Sequence, residues 1–261
     1  MGFSAPWLAL REPADHAARD TDLLEKAVSI AGENPVIMDL GSGTGSTVRA
    51  FESVLEKPAS WILVDSDPEL LAIATEAIPH ASVYQIDLKD IDQLPLDEVS
   101  LVTASALLDL MTEQWLQELV ERAQVPIYFA LSYDGRMSWE PAKPKDSEIT
   151  TSFNLHQQQD KGMGKALGPK ASEVAVKLLE QAGFEVMVAN SEWQLGPNDS
   201  DLHQQLLEGI FQAASEIGNT GADEWLSQKL KNIDSLNCTI GHKDILAIPA
   251  SKKMAVNHAA D

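Results

Sequence analysis

The sequence of 261 residues has only one cysteine, Cys238, and far fewer basic than acidic side chains. A single cysteine excludes an intramolecular disulfide and a zinc site built from several cysteines. The formal net charge of −21, from 19 Lys and Arg against 40 Asp and Glu, repels a phosphate backbone. We therefore expect no nucleic-acid partner. The six histidines are scattered, with no HxxxH or HxH spacing, so we also expect no metal site.

Long hydrophobic runs are missing too. No apolar stretch approaches the roughly 20 residues of a membrane span, so we expect no membrane partner. The first 20 residues lack the basic start and apolar run of a secretory signal peptide. A hydrophobic fraction of 44% is nevertheless enough for a sizeable core. The sequence therefore predicts a soluble, cytoplasmic protein, present as a monomer or a homodimer.

The most informative stretch is residues 36–51, which read VIMDLGSGTGSTVRAF. Its mostly apolar start suits a buried parallel strand, and glycines follow at positions 41, 43 and 45, ahead of a helical pattern. Glycine lets the backbone turn tightly and lets a ligand approach with no Cβ in the way. A strand, a glycine turn and a helix form half of a nucleotide-binding βαβ unit.

Strands and helices alternate from this unit onwards, after one or two leading helices. We predict strands at 36–40, 61–64, 82–86, 99–104, 126–131, 184–189 and 245–248. This alternation is typical of a parallel, doubly wound α/β sheet with right-handed crossovers. Residues 132–169 interrupt it, and their polar composition predicts a long loop.

The string DLGSGTG, residues 39–45, resembles motif I of the class I S-adenosylmethionine-dependent methyltransferases, D/E-x-G-x-G-x-G, at every fixed position. The dinucleotide fingerprint G-x-G-x-x-G/A fits less well, because the third glycine comes one residue early and Ser46 replaces Gly or Ala. The resemblance implies S-adenosyl-L-methionine as cofactor. It also implies a doubly wound, seven-stranded, mostly parallel sheet whose last strand is antiparallel.

The order of elements extends the resemblance to about residues 20–190 and 238–250. It implies a single methyltransferase domain over residues 1–261. The core is expected at residues 20–131, 170–190 and 238–250. Two segments depart from the family pattern, and we expect loop and helical cap insertions over the substrate there: 132–169 and 194–236.

The carboxyl ends of the predicted strands carry the expected cofactor residues. Asp65 would accept hydrogen bonds from ribose hydroxyls, although NAD enzymes place an acid there too and it could merely cap a helix. Asp39 would face the cofactor's amino group, as a carboxylate opposite an ammonium. The resemblance assigns Asp87 and the Leu88 N–H to the adenine, unless Asp87 is only a turn acid. The full predicted set is Asp39, Gly41, Ser42, Gly43, Gly45, Asp65, Ser66, Asp87, Leu88 and Ser105.

The catalytic residues are less clear. After the fourth strand the chain reads SALLDL, where amide- and adenine-methylating members of the resembling family carry D/N-P-P-Y/F, and this disfavours those acceptors. In the long insertion, His156 or Asp160 could take a proton from an attacking oxygen, nitrogen or carbon acid. We predict these two as catalytic, with a plain polar surface loop as the alternative.

Near the N-terminus, Trp7, Arg11, Asp15 and Arg19 recur at helical four-residue steps. This spacing fits a surface helix with i,i+4 salt bridges. It also fits a lid that places Arg11 or Arg19 near the cofactor's carboxylate.

The sequence thus predicts a methyltransferase that acts on a small molecule. Two alternatives stay open. One is a catalytically silent S-adenosylmethionine-binding protein with a regulatory role, because the cofactor residues are clearer than any catalytic set. The other is a nicotinamide-dependent oxidoreductase, which the glycine spacing and Asp39 disfavour.

Overall fold

The structure is a computed structural model that describes residues 3–250. The tail at 251–261, which we expected to fray, lies outside the described residues. Eight strands form one sheet: β1 (Val36–Leu40), β2 (Ser60–Asp65), β3 (Ser82–Gln85), β4 (Leu101–Ser105), β5 (Ile127–Glu140), β6 (Phe184–Asn190), β7 (Trp193–Leu195) and β8 (Asn237–Pro249).

The sheet has the order β3-β2-β1-β4-β5-β8-β6, and the short β7 pairs with β8. Strands β1 to β5 pair in parallel, whereas β8 is antiparallel to both β5 and β6. This confirms the predicted fold class, a doubly wound, mostly parallel sheet whose last strand is antiparallel. Strand β7 is an addition that the sequence analysis did not predict.

Nine helices of more than three residues accompany this sheet within residues 3–250: α1 (Ala5–Ala18), α2 (Thr21–Ala31), α3 (Ser46–Glu52), α4 (Pro68–Ala77), α5 (Glu113–Arg122), α6 (Asp146–Gln157), α7 (Ala171–Gln181), α8 (Ser200–Glu216) and α9 (Ala222–Leu230). Their starts follow from capping side chains. Asp20 accepts from the Leu23 N–H at 2.8 Å, and Asp67 accepts from the Glu69 N–H at 2.9 Å.

The core fills both faces of the sheet because successive strand residues point to opposite sides. In β1, Ile37 packs in one buried cluster with Leu101 and Leu246, whereas Met38 packs in the other with Val102 and Phe129. Packing on both faces therefore fixes the ends of the strands, and with them the positions of the residues that follow each strand.

The predicted loop at 132–169 is wrong over much of its length. Strand β5 continues to Glu140, where it pairs with Asn237 of β8, and helix α6 follows. The continuation has the two-residue period of a strand, since Tyr133 and Trp139 are buried on one face. Gly135 and a register shift between Tyr133 and Met137 interrupt that pattern. Polar composition alone was therefore a misleading signal here.

A third hydrophobic cluster lies around this strand extension and forms the core of the cap. It joins the far ends of β5 and β8 to β7, α6, α8 and α9, with the ring of Trp139 5.8 Å from that of Trp225. Helix α1 packs against the same cluster through Trp7, Leu10 and Ala14. Within residues 3–250, no helix is long and apolar enough to cross a membrane.

Candidate active site

The glycine turn lies at the carboxyl end of β1. Gly41, Gly43 and Gly45 have φ values of +65°, +51° and +82°, which side-chain-bearing residues rarely adopt. A Cβ on Gly45 would lie 2.5 Å from Cδ1 of Ile78, so a side chain there would have to displace the end of that isoleucine. The N–H of Ser42 donates to the Val64 carbonyl at 3.0 Å and ties the turn to β2.

Asp65, at the end of β2, braces this turn. Its carboxylate accepts from the Gly43 N–H at 2.8 Å and from the Asp67 N–H at 3.0 Å. It is partly exposed and Ser66 beside it is exposed. Each carboxylate oxygen has a further lone pair, so bracing the turn is compatible with the predicted ribose contact.

At the end of β3, the predicted adenine residues have different surroundings. Asp87 is exposed; it accepts from the Lys89 N–H at 3.0 Å and lies 3.7 Å from the Lys89 ammonium. Leu88 is buried, and its carbonyl accepts from the indole of Trp115 at 2.7 Å. The backbone at Leu88 is thereby fixed at the rim of the sheet, whereas Asp87 has the contacts of a turn acid as well.

Asp39 and Arg19 are two buried charged residues beside the turn, and several of their side-chain polar atoms lack hydrogen-bond partners among the described residues. Asp39 is 1% exposed, and neither of its oxygens has a hydrogen-bond partner among the described residues. Burial raises its pKa to about 7, which the Arg19 charge and the nearby Thr47 hydroxyl oppose only in part. Arg19 donates one hydrogen bond, to the Ser105 hydroxyl at 2.8 Å. Its Nε and Nη1 have no partner within residues 3–250, and the same holds for the buried Ser42 hydroxyl.

Helix α1 covers the glycine turn. A Cβ on Gly43 would lie 3.1 Å from Cδ1 of Leu8, and Glu12 forms a bidentate ion pair with Arg49 of α3. The i,i+4 pair of Arg11 with Asp15 forms at 2.9 Å, as the surface-helix interpretation predicts, and the helix also packs on the turn, as a lid would. Of the two candidate arginines, Arg19 is the one hydrogen-bonded beside the turn.

The family comparison agrees with this geometry. Residues 37–125, which include the glycine turn and β1 to β4, match the family model described as a methyltransferase domain. This part of the chain, about a third of its length, carries a methyltransferase domain. S-adenosylmethionine is its cofactor, and the nicotinamide-dependent alternative is set aside.

Solved structures share the fold of this methyltransferase at low sequence identity. A methyltransferase from Bacillus halodurans is 17% identical, with a TM-score of 0.50 over 86% of this chain and 96% of its own. The cyclopropane synthase MmaA2 from Mycobacterium tuberculosis is 12% identical, with a TM-score of 0.52 over 94% of each chain. No curated protein sequence matches the chain. At these identities the likeness supports the fold alone.

The cofactor carries charged groups that fit the Asp39 and Arg19 atoms without hydrogen-bond partners among the described residues. The methionine end of S-adenosylmethionine carries an ammonium and a carboxylate. Asp39 presents two free acceptor oxygens for the ammonium, and Arg19 presents free donors for the carboxylate. The two residues would hold opposite ends of one amino-acid group.

The residues predicted to be catalytic lie in the cap of the methyltransferase and already have partners. The Nε2 atom of the buried His156 lies 2.8 Å from Glu216, and its Nδ1 atom lies 3.2 Å from the Lys161 ammonium. Asp160 is exposed and accepts from the Gly162 and Gly164 N–H groups, which lowers its pKa. Each contact stabilises the insertion, so the catalytic role of both residues stays a prediction.

Asp109 is a candidate that the sequence analysis did not assign. It belongs to a short 3-10 helix, Leu108–Leu110, just after β4. Its neighbour Leu107 lies 3.1 Å from where a Cβ on Gly41 would be, and the Met111 carbonyl accepts from the Leu167 N–H at 2.8 Å. Asp109 therefore lies between the glycine turn and the loop at 158–167.

The surroundings of Asp109 suit proton transfer. Burial raises its pKa to about 6, and the charges of Arg11 and Lys161 oppose this only in part. Tyr133 is buried, and its hydroxyl donates to the Asn154 side-chain oxygen at 2.8 Å. An acid soon after the fourth strand was the only sequence signal for Asp109, and nothing in the sequence indicated that it is half-buried.

Proposed function

We propose that this methyltransferase transfers the methyl group to a small-molecule acceptor, bound between the core and the cap. The observation that supports a small acceptor is the cover over the site. Helix α1 lies on the glycine turn, and the loop at 158–167 packs on the segment at 107–112. A large macromolecular surface could not enter beneath both covers.

The bound cofactor would supply an electrophilic methyl group on a sulfonium. Asp39 and Arg19 orient its amino-acid end, while Asp65 and the Leu88 backbone orient its nucleoside. The protein's main contribution to such an in-line transfer is alignment and the exclusion of water. Asp109, ionised at neutral pH, accepts a proton from a hydroxyl or amine acceptor.

The remaining parts of the proposal concern the molecule as a whole. We propose that core and cap make one domain, since β5 and β8 run through both. We also propose a cytoplasmic monomer or homodimer without a nucleic-acid partner. The net charge of −21 supports the last point.

Cofactor binding gives the first test. We expect S-adenosylmethionine and S-adenosylhomocysteine, but not NAD, to bind in calorimetric titrations. Asp65→Ala should weaken binding by about 1–3 kcal/mol, because the ribose hydroxyls lose an acceptor. If the folded variant binds the cofactor with unchanged affinity, Asp65 serves only to stabilise the turn. Saturable binding without methyl transfer to any metabolite screened would favour the regulatory alternative.

Once such a screen has found a methyl acceptor, its turnover tests which residue takes the proton from that acceptor. Asp109→Asn should lower turnover by about 10²-fold or more and leave cofactor affinity nearly unchanged, because the amide cannot accept a proton. If His156 and Asp160 take the proton instead, as the sequence predicts, their alanine variants should lose turnover as completely. Full activity of Asp109→Asn would exclude it as the proton acceptor.

A further inference from the structure

Asp244, in the middle of β8, is a carboxylate with no exposed surface, and it accepts three hydrogen bonds. Its Oδ1 accepts from the Leu131 N–H at 2.8 Å. Its Oδ2 accepts from the Tyr128 hydroxyl at 2.8 Å and from the Asp20 N–H at 3.1 Å. A buried charge is tolerated when it is satisfied in this way, so Asp244 differs from the unmatched Asp39.

The bond to Asp20 fixes the junction between α1 and α2. Only Arg19 and Asp20 separate these helices, and the Arg19 N–H donates to the Asp15 carbonyl at 3.3 Å. The side chain of Asp20 caps α2 while its N–H donates to Asp244. Both sides of the junction are thus held, and the Arg19 backbone has little freedom.

The charge of Asp244 also matters to Arg19. Burial raises the pKa of the Tyr128 hydroxyl well above its ordinary value and the Asp244 charge adds to this, whereas the Arg19 charge opposes it. Tyr128 is therefore within the field of both groups. A buried guanidinium needs carboxylate neighbours, and Asp39 must turn to the cofactor's ammonium when it binds. Asp244, which acts on the same Tyr128 hydroxyl as Arg19, then remains as a nearby carboxylate.

We infer that Asp244 is a positioning residue, which holds the Arg19–Asp20 junction so that the Arg19 guanidinium faces the carboxylate end of the cofactor. This inference rests on the proposed function. It makes Asp244 specific for the amino-acid end of the ligand, because the nucleoside end is bound at β2 and β3. A residue with a general structural role would show no such preference.

The experiment compares two ligands by calorimetry: S-adenosylhomocysteine and 5′-methylthioadenosine, which lacks the amino-acid end. In Asp244→Asn the side-chain NH2 group faces a backbone N–H in either orientation of the amide, so one of the two backbone hydrogen bonds is lost. We expect the variant to bind S-adenosylhomocysteine about 10- to 100-fold more weakly and methylthioadenosine almost as well as the parent. Arg19→Gln should give the same selective loss, and the double variant should lose little more. Tyr128→Phe, which leaves both backbone bonds intact, is the control and should keep the ligand preference.

A second pair of variants serves if Asp244→Asn does not fold. Asp20 has φ −73° and follows a residue with ψ 140°, so proline fits its backbone. Asp20→Pro removes the cap and the N–H, whereas Asp20→Ala removes only the cap. We expect the proline variant alone to lose S-adenosylhomocysteine affinity selectively.

The outcomes separate the inference from the proposed function. Equal losses for both ligands, or no loss for either, would overturn the positioning role while the cofactor assignment stands. A parent protein that binds neither ligand would overturn the proposed function, and the inference with it.

Discussion

Replacing Asp39 by asparagine should make the cofactor-free protein more stable and its cofactor complex weaker. Within residues 3–250 this carboxyl is buried and has no hydrogen-bond partner, and its pKa is raised from 3.8 to about 7. A raised pKa in the folded state means that ionisation opposes folding. The cost is absent below pH 4 and grows by about 1.4 kcal/mol per pH unit until pH 7, to about 4 kcal/mol in all. Asparagine avoids that cost.

Urea unfolding of both proteins at a series of pH values checks this expectation. The advantage of the variant should be near zero at pH 4 and largest at pH 8. Asp244→Asn is the matched control, because the same change at an equally buried acid whose hydrogen bonds are satisfied should destabilise the protein. Calorimetry should show cofactor affinity falling by about 1.5–3 kcal/mol in Asp39→Asn, the worth of a charged hydrogen bond. A less stable variant with full affinity would contradict the assignment of Asp39.

Removing Asp146 should destabilise the cap by about 3–5 kcal/mol, because it leaves the ammonium of Lys229 buried and unpaired. Lys229 has no exposed surface; its ammonium lies 2.8 Å from Asp146 and 5.1 Å from the ring centre of Trp139. Burial lowers the pKa of this lysine, and Asp146 opposes the shift. Asp146→Ala removes the favourable interaction with the carboxylate, while the Lys229 ammonium stays buried away from water.

The reverse replacement should cost less. In Lys229→Met, Asp146 keeps the Trp225 indole at 2.8 Å and the Lys143 N–H at 2.7 Å, so we expect a loss of about 1–2 kcal/mol. Urea unfolding followed by tryptophan fluorescence measures both, since Trp225 touches the pair. Lys231→Met, at the exposed position just after the end of α9, is the control and should change stability by less than about 0.5 kcal/mol. A harmless Asp146→Ala would show that water reaches Lys229.

The sequence predicted the elements whose signals are local. The apolar run of β1 is recorded in a few neighbouring residues, and the strand lies where we expected it. The polar strand extension at 132–140 was missed because composition outweighed its two-residue period.

The unpredicted parts of the site depend on distant packing. Sequence reasoning placed Asp39 by the turn and Arg19 near the cofactor as one of two arginines. It could not show that neither group is satisfied, because that depends on where α1 comes to lie. The half-buried position of Asp109 likewise depends on a loop about fifty residues further along the chain.

The two long strands have a mechanical consequence. Strands β5 and β8 run paired from the central sheet into the cap, and Phe129 and Trp139 lie on the same ribbon. A hinge between core and cap would have to bend two hydrogen-bonded strands at once. The ribbon therefore transmits force between core and cap, and any bend would fall where its pairing shifts register, between Phe129 and Ser132 or between Tyr133 and Met137.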